Sequence, residues 1–486
     1  MPPLKILLLS AEVKPFAKMG GLGDVCGSLP LALRALGHDV RVALPAYRPI
    51  EERFAKGDSD LRALDPLSVP LGFGALGAGV FESRLPGSDV PVYFIAEKNL
   101  FGRERIYGYQ DDPYRFAFFS RAALHLTVVL GWRPDVVHAH DWHTAPAITW
   151  LATAGRGDPH FHDIASLFTI HNLSHQGRAP WGVFDYLGVQ GGGLTEERYG
   201  EVNFMARGIY HATLVNTVSP TYAREILTYE GGSGLDSLLR YRRHDVHGIL
   251  NGLDYAEWNP ASDACLARPF DSATLADRQH NKRALQARAH LPQRPEVPLL
   301  AMISRLEWQK GLDLMGHVLH LLMNDFAGEA QFVVLGSGSQ KYVDMFRHLA
   351  GYHQGKLAAF LDIFDNDLAH LIYGGSDMLL MPSLFEPCGL GQLIAMRYGS
   401  VPVARATGGL ADTVFDGATG FTFGDYSTEA FWQAIQRALH IYRVDPETWL
   451  AIQRQGMLSD FSWERSARGY GQLYEWASAR LGWKPA

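Results

Sequence analysis

A glycine-rich segment near the start of the chain combines a lysine with backbone amides that could bind phosphate. The segment KMGGLGDV, residues 18–25, follows an apolar run and opens a stretch with helical spacing. Adjacent glycines let amides approach an anion closely, and a helix start adds positive potential. We therefore expect Lys18 and this turn to bind an anionic ligand. The alternative is a tight turn with a solvated lysine, and the Gly-Lys-Ser/Thr ending of a P-loop is missing.

Two cations follow an apolar run in the second half of the chain. The segment SRLEWQKG, residues 304–311, carries Arg305 and Lys310 directly after PLLAMI. A guanidinium and an ammonium that converge on one ligand would neutralise the charge that grows on a departing diphosphate, without a metal. The alternative is a pair of surface cations at a helix start.

A third segment places a carboxylate next to a candidate phosphate site. In PSLFEPCGLGQLIAMRYG, residues 382–399, a strand is expected to end at Ser383 and a helix to open over residues 388–391. The free amides of that helix could hold phosphate oxygens while Glu386 accepts sugar hydroxyls. The alternative for Glu386 is an acidic residue favoured by the helix dipole. We expect Cys388 to be a packing residue because no base is visibly paired with it.

Histidines cluster in two further segments, VVHAHDWHT and TIHNLSHQG. Strand alternation puts His138 and His140 on one face, so a metal site is conceivable, but the carboxylate and spacing of zinc motifs are missing. Hydrogen bonding to sugar hydroxyls is the preferred interpretation. Several of these histidines could instead be core residues that bond to the backbone.

These segments need parallel strands to position them. Each follows a short apolar run, such as KILLLSAE, PDVVHAHD, IASLFTIHN or QFVVLGSG, and helix-length stretches separate the runs. Parallel strands buried on both faces show this pattern, and their carboxyl ends carry ligand sites. We predict an α/β chain of two doubly wound domains, residues 1–254 and 255–462, with an aromatic helix over 463–486 that packs back on the N-terminal domain. The dinucleotide-like run at residues 72–77 lacks a following helix, so we predict a hairpin there.

Composition excludes several classes of function. A chain of 486 residues exceeds one core, since domains cluster at about 100 to 200 residues. The formal charge is −7 and no polybasic block is present, which argues against nucleic acid. Three scattered cysteines favour a reducing cytoplasm. No run is long enough to span a bilayer, so no membrane partner is expected.

Taken together, the segments resemble the bacterial glycogen synthase and plant starch synthase family. The resemblance runs through nearly the whole chain in the family's order and spacing. Its most specific parts are KMGGLGDV, HAHDWH, TIHNLSHQG, GILNGLDYAEWNP, ISRLEWQKGLD, SLFEPCGLGQL and ATGGLADTV. It implies the GT-B fold, in which two Rossmann-like domains face a cleft.

The resemblance also implies site residues. It assigns catalytic roles to Lys18, Asp24, His171, Arg305, Lys310 and Glu386. In the family, the matched lysine of the glycine loop touches the donor diphosphate, and the matched aspartate and histidine lie by the reacting glucose. It assigns substrate-binding roles to Gly20, Gly21, Asp141, Asn172, Asn251, Phe364, Cys388, Gly389, Leu390, Gly391, Thr407, Gly408 and Gly409.

Two positions depart from the family's usual residues, and a third distinguishes this family from related ones. Gly391 stands where the family often has threonine, which removes a hydroxyl but keeps the amide. Phe364 stands where a tyrosine commonly stacks on the nucleotide base, so stacking survives without the phenol. Ile394 stands where related paired-glutamate families have a second glutamate, which favours this family.

The implied activity is retaining transfer of glucose from ADP-glucose to the non-reducing end of an α-1,4-glucan. No cofactor or metal is expected, and the partners are ADP-glucose and a glycogen or maltooligosaccharide acceptor, with a monomer or small homo-oligomer. The alternatives are another GT-B enzyme, such as an epimerase or hexosyltransferase, a non-catalytic glucan-binding protein, and a phosphorylase-like enzyme with pyridoxal phosphate.

Overall fold

The fold was obtained as a computed structural model, which describes residues 3–197, 200–363 and 365–481. The chain divides into two compact units. The first comprises Met1–Gly252 and Trp463–Ala486, and the second comprises Leu253–Ser462. The division at Gly252 lies two residues before the boundary expected from the sequence.

A mostly parallel sheet forms the centre of the first unit. Its strands include long apolar runs because helices cover both faces. The strands of this unit are β1 (Lys5–Leu9), β2 (Asp39–Pro45), β3 (Arg62–Leu71), β4 (Gly74–Arg84), β5 (Pro91–Ala96), β6 (Val136–His140), β7 (Ala165–Ile170), β8 (Arg178–Pro180), β9 (Glu201–Asn203), β10 (Leu214–Thr217) and β11 (Val246–Gly248). Within the described residues, the large sheet has the order β11-β10-β7-β6-β1-β2-β5-β4-β3, and β8 pairs with β9 separately.

The edge of this sheet is antiparallel. Strands β3 and β4 pair in opposite directions, with Leu71 opposite Gly74, and β4 pairs the same way with β5. The dinucleotide-like glycines therefore lie in a hairpin, as predicted.

Helices flank the first sheet. They are α1 (Gly21–Ala35), α2 (Arg48–Ala55), α3 (Lys98–Phe101), α4 (Asp112–Val129), α5 (Ala145–Ala152), α6 (Gly182–Leu187), α7 (Phe204–His211), α8 (Pro220–Glu225) and α9 (Asp236–Tyr241), with a 3₁₀ turn at Ala154–Gly157. Helix α4 is buried along most of its length, with phenylalanines 116, 118 and 119 fully inaccessible.

The second unit has an all-parallel sheet in the order β14-β13-β12-β15-β16-β17. Its strands are β12 (Leu299–Ile303), β13 (Gln331–Gly336), β14 (Leu357–Leu361), β15 (Met378–Met381), β16 (Val401–Arg405) and β17 (Phe421–Phe423). Its helices are α10 (Arg278–Arg288), α11 (Leu312–Met323), α12 (Gln340–Tyr352), α13 (Asn366–Gly375), α14 (Gly391–Arg397), α15 (Gly408–Thr413), α16 (Thr428–Val444) and α17 (Pro446–Leu458), with 3₁₀ turns at Leu275–Asp277 and Trp308–Lys310. The strand order reverses between β12 and β15, where doubly wound folds bind ligands.

The last helix, α18 (Trp463–Arg480), belongs to the first unit. Its tyrosines Tyr470 and Tyr474 are fully buried in the core of that unit. The Ser466 hydroxyl donates to the carbonyl of Leu250 at 2.6 Å. Residues of this helix therefore belong to the same hydrophobic core as residues of the first 252.

The predicted fold class, two doubly wound α/β domains with parallel sheets, is confirmed. Across the described ranges, we find no helix with the length and apolar character to cross a membrane.

Candidate active site

The loop after β1 carries the first group of predicted residues. Lys18 donates to the Asp24 carboxylate at 2.6 Å, and Asp24 lies in the first turn of α1. Both side chains are partly exposed, so they remain accessible to a ligand. The lysine and aspartate that the sequence analysis predicted therefore lie side by side at the carboxyl end of β1.

The glycine loop is not an open phosphate cradle in this structure. The Oε2 atom of Glu12 accepts hydrogen bonds from the backbone amides of Met19 at 2.6 Å and Gly20 at 3.0 Å. A buried carboxylate therefore accepts from the Gly20 amide in this structure, and the ligand-binding role of Gly20 stays a prediction. Gly21 begins α1.

The segment after β6 presents a buried aspartate. Asp141 adopts a left-handed backbone conformation with φ 56°, which L residues rarely adopt. Its Oδ1 accepts from the backbone amide of His171 at 2.7 Å and, at the limit of 3.5 Å, from that of Asn172. Burial raises the pKa of Asp141 to about 7, against the opposing effect of these two amides.

The histidines form a cluster in which His140 is hydrogen-bonded to His171 and the His138 ring lies against the His140 ring. His140 Nδ1 lies 2.9 Å from His171 Nε2, while His138 bonds to the hydroxyls of Tyr474 at 2.8 Å and Thr169 at 2.7 Å. His138 and His140 are fully inaccessible, which agrees with the interpretation of core histidines. Burial lowers the pKa of His171 to about 3, so its imidazole is neutral at physiological pH.

Two asparagines of the predicted site differ in their partners. Asn172 Oδ1 accepts from the amide and the hydroxyl of Ser174, at 3.1 and 2.7 Å. Asn251 is buried, and within the described part of the chain its Oδ1 has no hydrogen-bond partner. A buried acceptor without a partner costs free energy, so a ligand group that donates to Asn251 would be favoured.

In the second unit, the loops after β12 and β15 bring a lysine and a glutamate together. Lys310 Nζ donates to Glu386 Oε2 at 2.6 Å, and the Ser383 hydroxyl donates to the same oxygen at 3.0 Å. Glu386 is buried, whereas Arg305 is exposed. The pair fixes a cation and a carboxylate at the switch point of the sheet.

Close backbone contacts hold these loops in place. Gly311 has φ 70°, and a Cβ atom there would lie 2.0 Å from the carbonyl oxygen of Pro382. A Cβ atom on Gly408, φ 46°, would lie 1.9 Å from the Glu386 carbonyl oxygen. The Gly409 amide donates to that same oxygen at 3.0 Å. Thr407 is the N-cap residue of α15, so the predicted segment 407–409 supports the Glu386 loop directly.

The helix that the sequence predicts to open over residues 388–391 begins at Gly391, with Leu390 as its N-cap residue. Before it, Gly389 has a positive φ of 75°, and the Gln392 side chain donates to the carbonyls of Cys388 at 3.0 Å and Gly389 at 2.9 Å. Cys388 is buried, as a packing residue would be. Residues 388–390 therefore form a turn that leads into the helix.

In each unit, the predicted residues lie in the segments that follow strands of the large sheet. In the first unit, they follow β1, β6 and β7, which are neighbours in the sheet: Lys18, Gly20, Gly21, Asp24, Asp141, His171 and Asn172, with Asn251 at the end of the unit. In the second unit, they follow β12, β15 and β16: Arg305, Lys310, Glu386, Cys388, Gly389, Leu390, Gly391, Thr407, Gly408 and Gly409. Phe364 lies outside the described residues.

Sequence analysis missed Glu12 and Tyr107, which bond to each other beside the Lys18 loop. A signal existed for Glu12, since an acidic residue three positions after a buried strand lies at the ligand-binding edge of the sheet. Tyr107 lies in an irregular segment between α3 and α4, which gave no comparable signal.

One cluster in the described chain has the composition of a metal site. Ligand atoms of Asp263, Cys265 and His370 lie within 4.8 Å of one another. However, Asp263 Oδ2 already bonds to His370 Nδ1 at 2.7 Å and accepts from the Tyr398 hydroxyl at 2.5 Å. Hydrogen bonds account for these contacts, and the expectation that no metal is required stays a prediction.

Comparisons with known proteins agree with this architecture. Residues 5–241 match the family model of the starch synthase catalytic domain, and residues 285–448 match that of glycosyl transferases group 1. The glycogen synthase of Moorella thermoacetica is 45% identical over 97% of this chain and 96% of its own.

Two solved structures are also similar. The catalytic domain of starch synthase IV from Arabidopsis thaliana, bound to ADP and acarbose, has a TM-score of 0.87 at 36% identity and covers 98% of this chain and 100% of its own. A sucrose-phosphate synthase from Thermosynechococcus elongatus has a TM-score of 0.61 at 19% identity, covering 98% and 99%, which shows the fold alone.

Two doubly wound domains, each with cationic and acidic side chains at the carboxyl ends of its strands, define a GT-B glycosyltransferase. The extent of the full-length identity then gives the family. The chain belongs to the glycogen synthase and starch synthase family.

Proposed function

We propose that the protein transfers glucose from ADP-glucose to the non-reducing end of an α-1,4-glucan, with retention of configuration and release of ADP. Membership of the family supports glucosyl transfer to a glucan. ADP as the nucleotide is supported by the starch synthase IV domain, which was solved with ADP. The observation that carries the proposal is the Lys310–Glu386 ion pair, in which a partly buried cation meets a buried carboxylate, a set suited to a sugar diphosphate.

The second unit would bind the donor. Arg305 and Lys310 would neutralise the charge that grows on the leaving diphosphate, as fixed cations do best in a site that excludes water. Glu386 would accept hydroxyls of the glucose, and its contact with Ser383 keeps it in place. The turn at 388–391 and the segment 407–409 would line the phosphates, and Phe364 would stack on the base.

The first unit would act on the glucose and the acceptor. His171 is neutral and faces His140, so its ring can exchange hydrogen bonds with sugar hydroxyls without adding charge. Asp141 would place a carboxylate near the anomeric carbon, where positive charge develops. Lys18 would contact the diphosphate, Asp24 the reacting glucose, and Asn251 the donor through its unpartnered oxygen.

Retention follows from the side of attack. The acceptor 4-hydroxyl would form its bond to the anomeric carbon on the face from which the diphosphate leaves. The bond to the phosphate oxygen breaks, and the hydroxyl proton passes to that oxygen, so ADP leaves with the charge balanced. This route requires no enzymic base, and positioning with charge stabilisation supplies the catalysis.

The donor is tested by competition. Labelled ADP-glucose and UDP-glucose are offered together to the protein with one glycogen primer, and label in the precipitated glucan is counted. We expect label mainly from ADP-glucose. Preferential incorporation from UDP-glucose would overturn the donor assignment, and incorporation from neither would overturn the proposed transfer.

We further propose that the reaction proceeds in the cytoplasm, without a metal, in a monomer or small homo-oligomer. The three cysteines, all within the described residues, form no disulfide, which suits a reducing compartment. Dialysis against a chelator should leave the rate unchanged, and restoration of a lost rate by added divalent cations would contradict the metal-free proposal.

A further inference from the structure

Glu12 is a buried carboxylate that the proposed mechanism does not yet use. It follows β1 and is 4% exposed. Its Oε2 accepts from the amides of Met19 and Gly20, in the loop that carries Lys18. A charged oxygen with two N–H donors is a strong acceptor, so this contact fixes the path of the loop up to the start of α1.

The second oxygen of Glu12 connects this loop to another part of the site. Oε1 accepts a hydrogen bond from the Tyr107 hydroxyl. The ring of Tyr107 stacks on His143 with the centroids 4.8 Å apart, and His143 stacks on Trp142 at 4.1 Å. Glu12 therefore links the Lys18 loop to the segment after β6, which begins with Asp141.

A merely structural role would not require the charge. A neutral amide side chain could accept the same two backbone hydrogen bonds, and a negative charge near an anion-binding loop opposes the binding of an anion. Together with burial, the charge of Glu12 raises the pKa of Asp141, although burial is the larger cause.

We propose that Glu12 is a positioning residue for glucosyl transfer: it holds the Lys18 loop in shape and places a negative charge beside Asp141. This inference rests on the proposed function. Glu12 acts through the loop and through Asp141, and it has no contact with the reacting atoms in this account.

The Glu12→Gln variant separates charge from shape. Both loop amides bind the same oxygen, so the amide oxygen of glutamine can keep both bonds while its NH₂ group donates to the Tyr107 hydroxyl. Tyr107→Phe instead keeps the charge and removes the link to the β6 segment. The pair of variants therefore tests the two parts of the proposal separately.

A matched control exists in the same unit. The Glu197 side chain is also inaccessible, and its oxygens accept from the amides of Leu194 at 2.9 Å and Asn203 at 3.1 Å. It also forms an ion pair with Arg207. Glu197→Gln reproduces the loss of a buried carboxylate that organises a loop, without changing the charge next to Asp141.

The readout is the acidic limb of kcat/KM for ADP-glucose against pH, with glycogen as acceptor. The titratable groups coupled to Asp141 are Glu12, Cys26, Tyr107 and Tyr222. Burial raises the pKa values of the thiol and of both phenols, and Glu12 is the carboxyl group of this set. Loss of its charge makes ionisation of Asp141 easier.

We expect Glu12→Gln to move the acidic limb to lower pH by about 0.5 unit or more, the effect of removing a nearby like charge. Glu197→Gln should leave the limb in place, whatever its effect on thermal stability. Tyr107→Phe should lower kcat/KM more than Glu197→Gln does, while its loss of Tm should be no larger than that of Glu197→Gln. A limb that does not move in Glu12→Gln would overturn the proposal, whereas a wild-type protein that transfers no glucose would overturn the proposed function instead.

Discussion

At the scale of single residues, the two acids of the site have different environments. Glu386 is paired with Lys310 and accepts from Ser383, so its negative charge is compensated. The Asp141 carboxylate accepts from two backbone amides, and burial raises its pKa to about 7. We infer that Glu386 binds the donor, whereas the ionisation of Asp141 determines how the rate depends on pH.

Lys310→Ala removes a cation from the proposed diphosphate site. We expect kcat to fall by about 10²-fold or more, the usual effect of losing one charge-stabilising group. The measurement is initial-rate ADP release with glycogen present. Lys356→Ala is the control, because Lys356 pairs with Asp325 at 2.6 Å before β14, at the opposite end of the sheet. A rate of Lys310→Ala equal to that of the control would reject the role.

The pH dependence of the wild-type enzyme follows from Asp141. A carboxylate stabilises positive charge at the anomeric carbon, whereas the protonated acid does not, so the ionised form should be the active one. Because burial raises the pKa of Asp141 to about 7, kcat/KM should rise with pH through that value and level off above it. The profile is measured at constant ionic strength. Activity that is highest below pH 6 would contradict this assignment.

At the scale of elements, hydrogen bonds to backbone carbonyls hold the loops after β12 and β15 against each other. The Leu384 amide donates to the Gln309 carbonyl at 2.8 Å, and Gln309 Nε2 donates to the Phe385 carbonyl at 3.1 Å. Lys310 and Glu386 lie next to these contacts. The ion pair therefore depends on the distance between two loops and not on the side chains alone.

Gly311→Ala tests this dependence. Gly311 and Gly417 have similar positive φ angles, 70° and 72°, but the new Cβ would meet the Pro382 carbonyl oxygen at 2.0 Å in the first case and nothing within 4 Å in the second. Both variants carry the cost of left-handed backbone. We expect Gly311→Ala to lower Tm and kcat by clearly more than Gly417→Ala. Equal losses in the two variants would show that backbone conformation, not loop contact, determines the effect.

The strands could be predicted from sequence because parallel strands buried on both faces appear as continuous apolar runs. Runs such as Lys5–Leu9 and Val136–His140 are therefore visible without a structure. The hydrogen bonds of Glu12 could not be predicted in this way, because the backbone amide and the tyrosine that donate to it come from separate loops. The start of α14 was predicted only to within residues 388–391, because the positive φ of Gly389 and the Gln392 contacts that shape the turn before the helix are not visible in the sequence.

At the scale of the whole molecule, the chain returns to its first unit at the end. Helix α18 contributes fully buried residues to the core of that unit, among them Tyr470 and Tyr474. The Tyr474 hydroxyl bonds to His138, and the His138 ring lies next to that of His140, with 4.0 Å between the centroids. The helix therefore supports the cluster formed by His138, His140 and His171.

Tyr474→Phe should destabilise the first unit, because it leaves a buried nitrogen of His138 without its partner. We expect a loss of about 1–3 kcal/mol in the free energy of unfolding, the typical cost of one unsatisfied buried polar group. The measurement is urea unfolding of the full chain. The control is Tyr241→Phe, since Tyr241 is 76% exposed and should tolerate the change. Equal stability of the two variants would remove the support that we assign to α18.

The central claim is retaining glucosyl transfer from ADP-glucose to a glucan, and proton NMR of the reaction tests it most directly. The wild-type protein is incubated with ADP-glucose and maltotriose, and the anomeric signals and ADP are followed together. We expect new α-1,4 linkages that appear in equal amounts with ADP. A β-linked product, or release of ADP with free glucose and no chain extension, would contradict it.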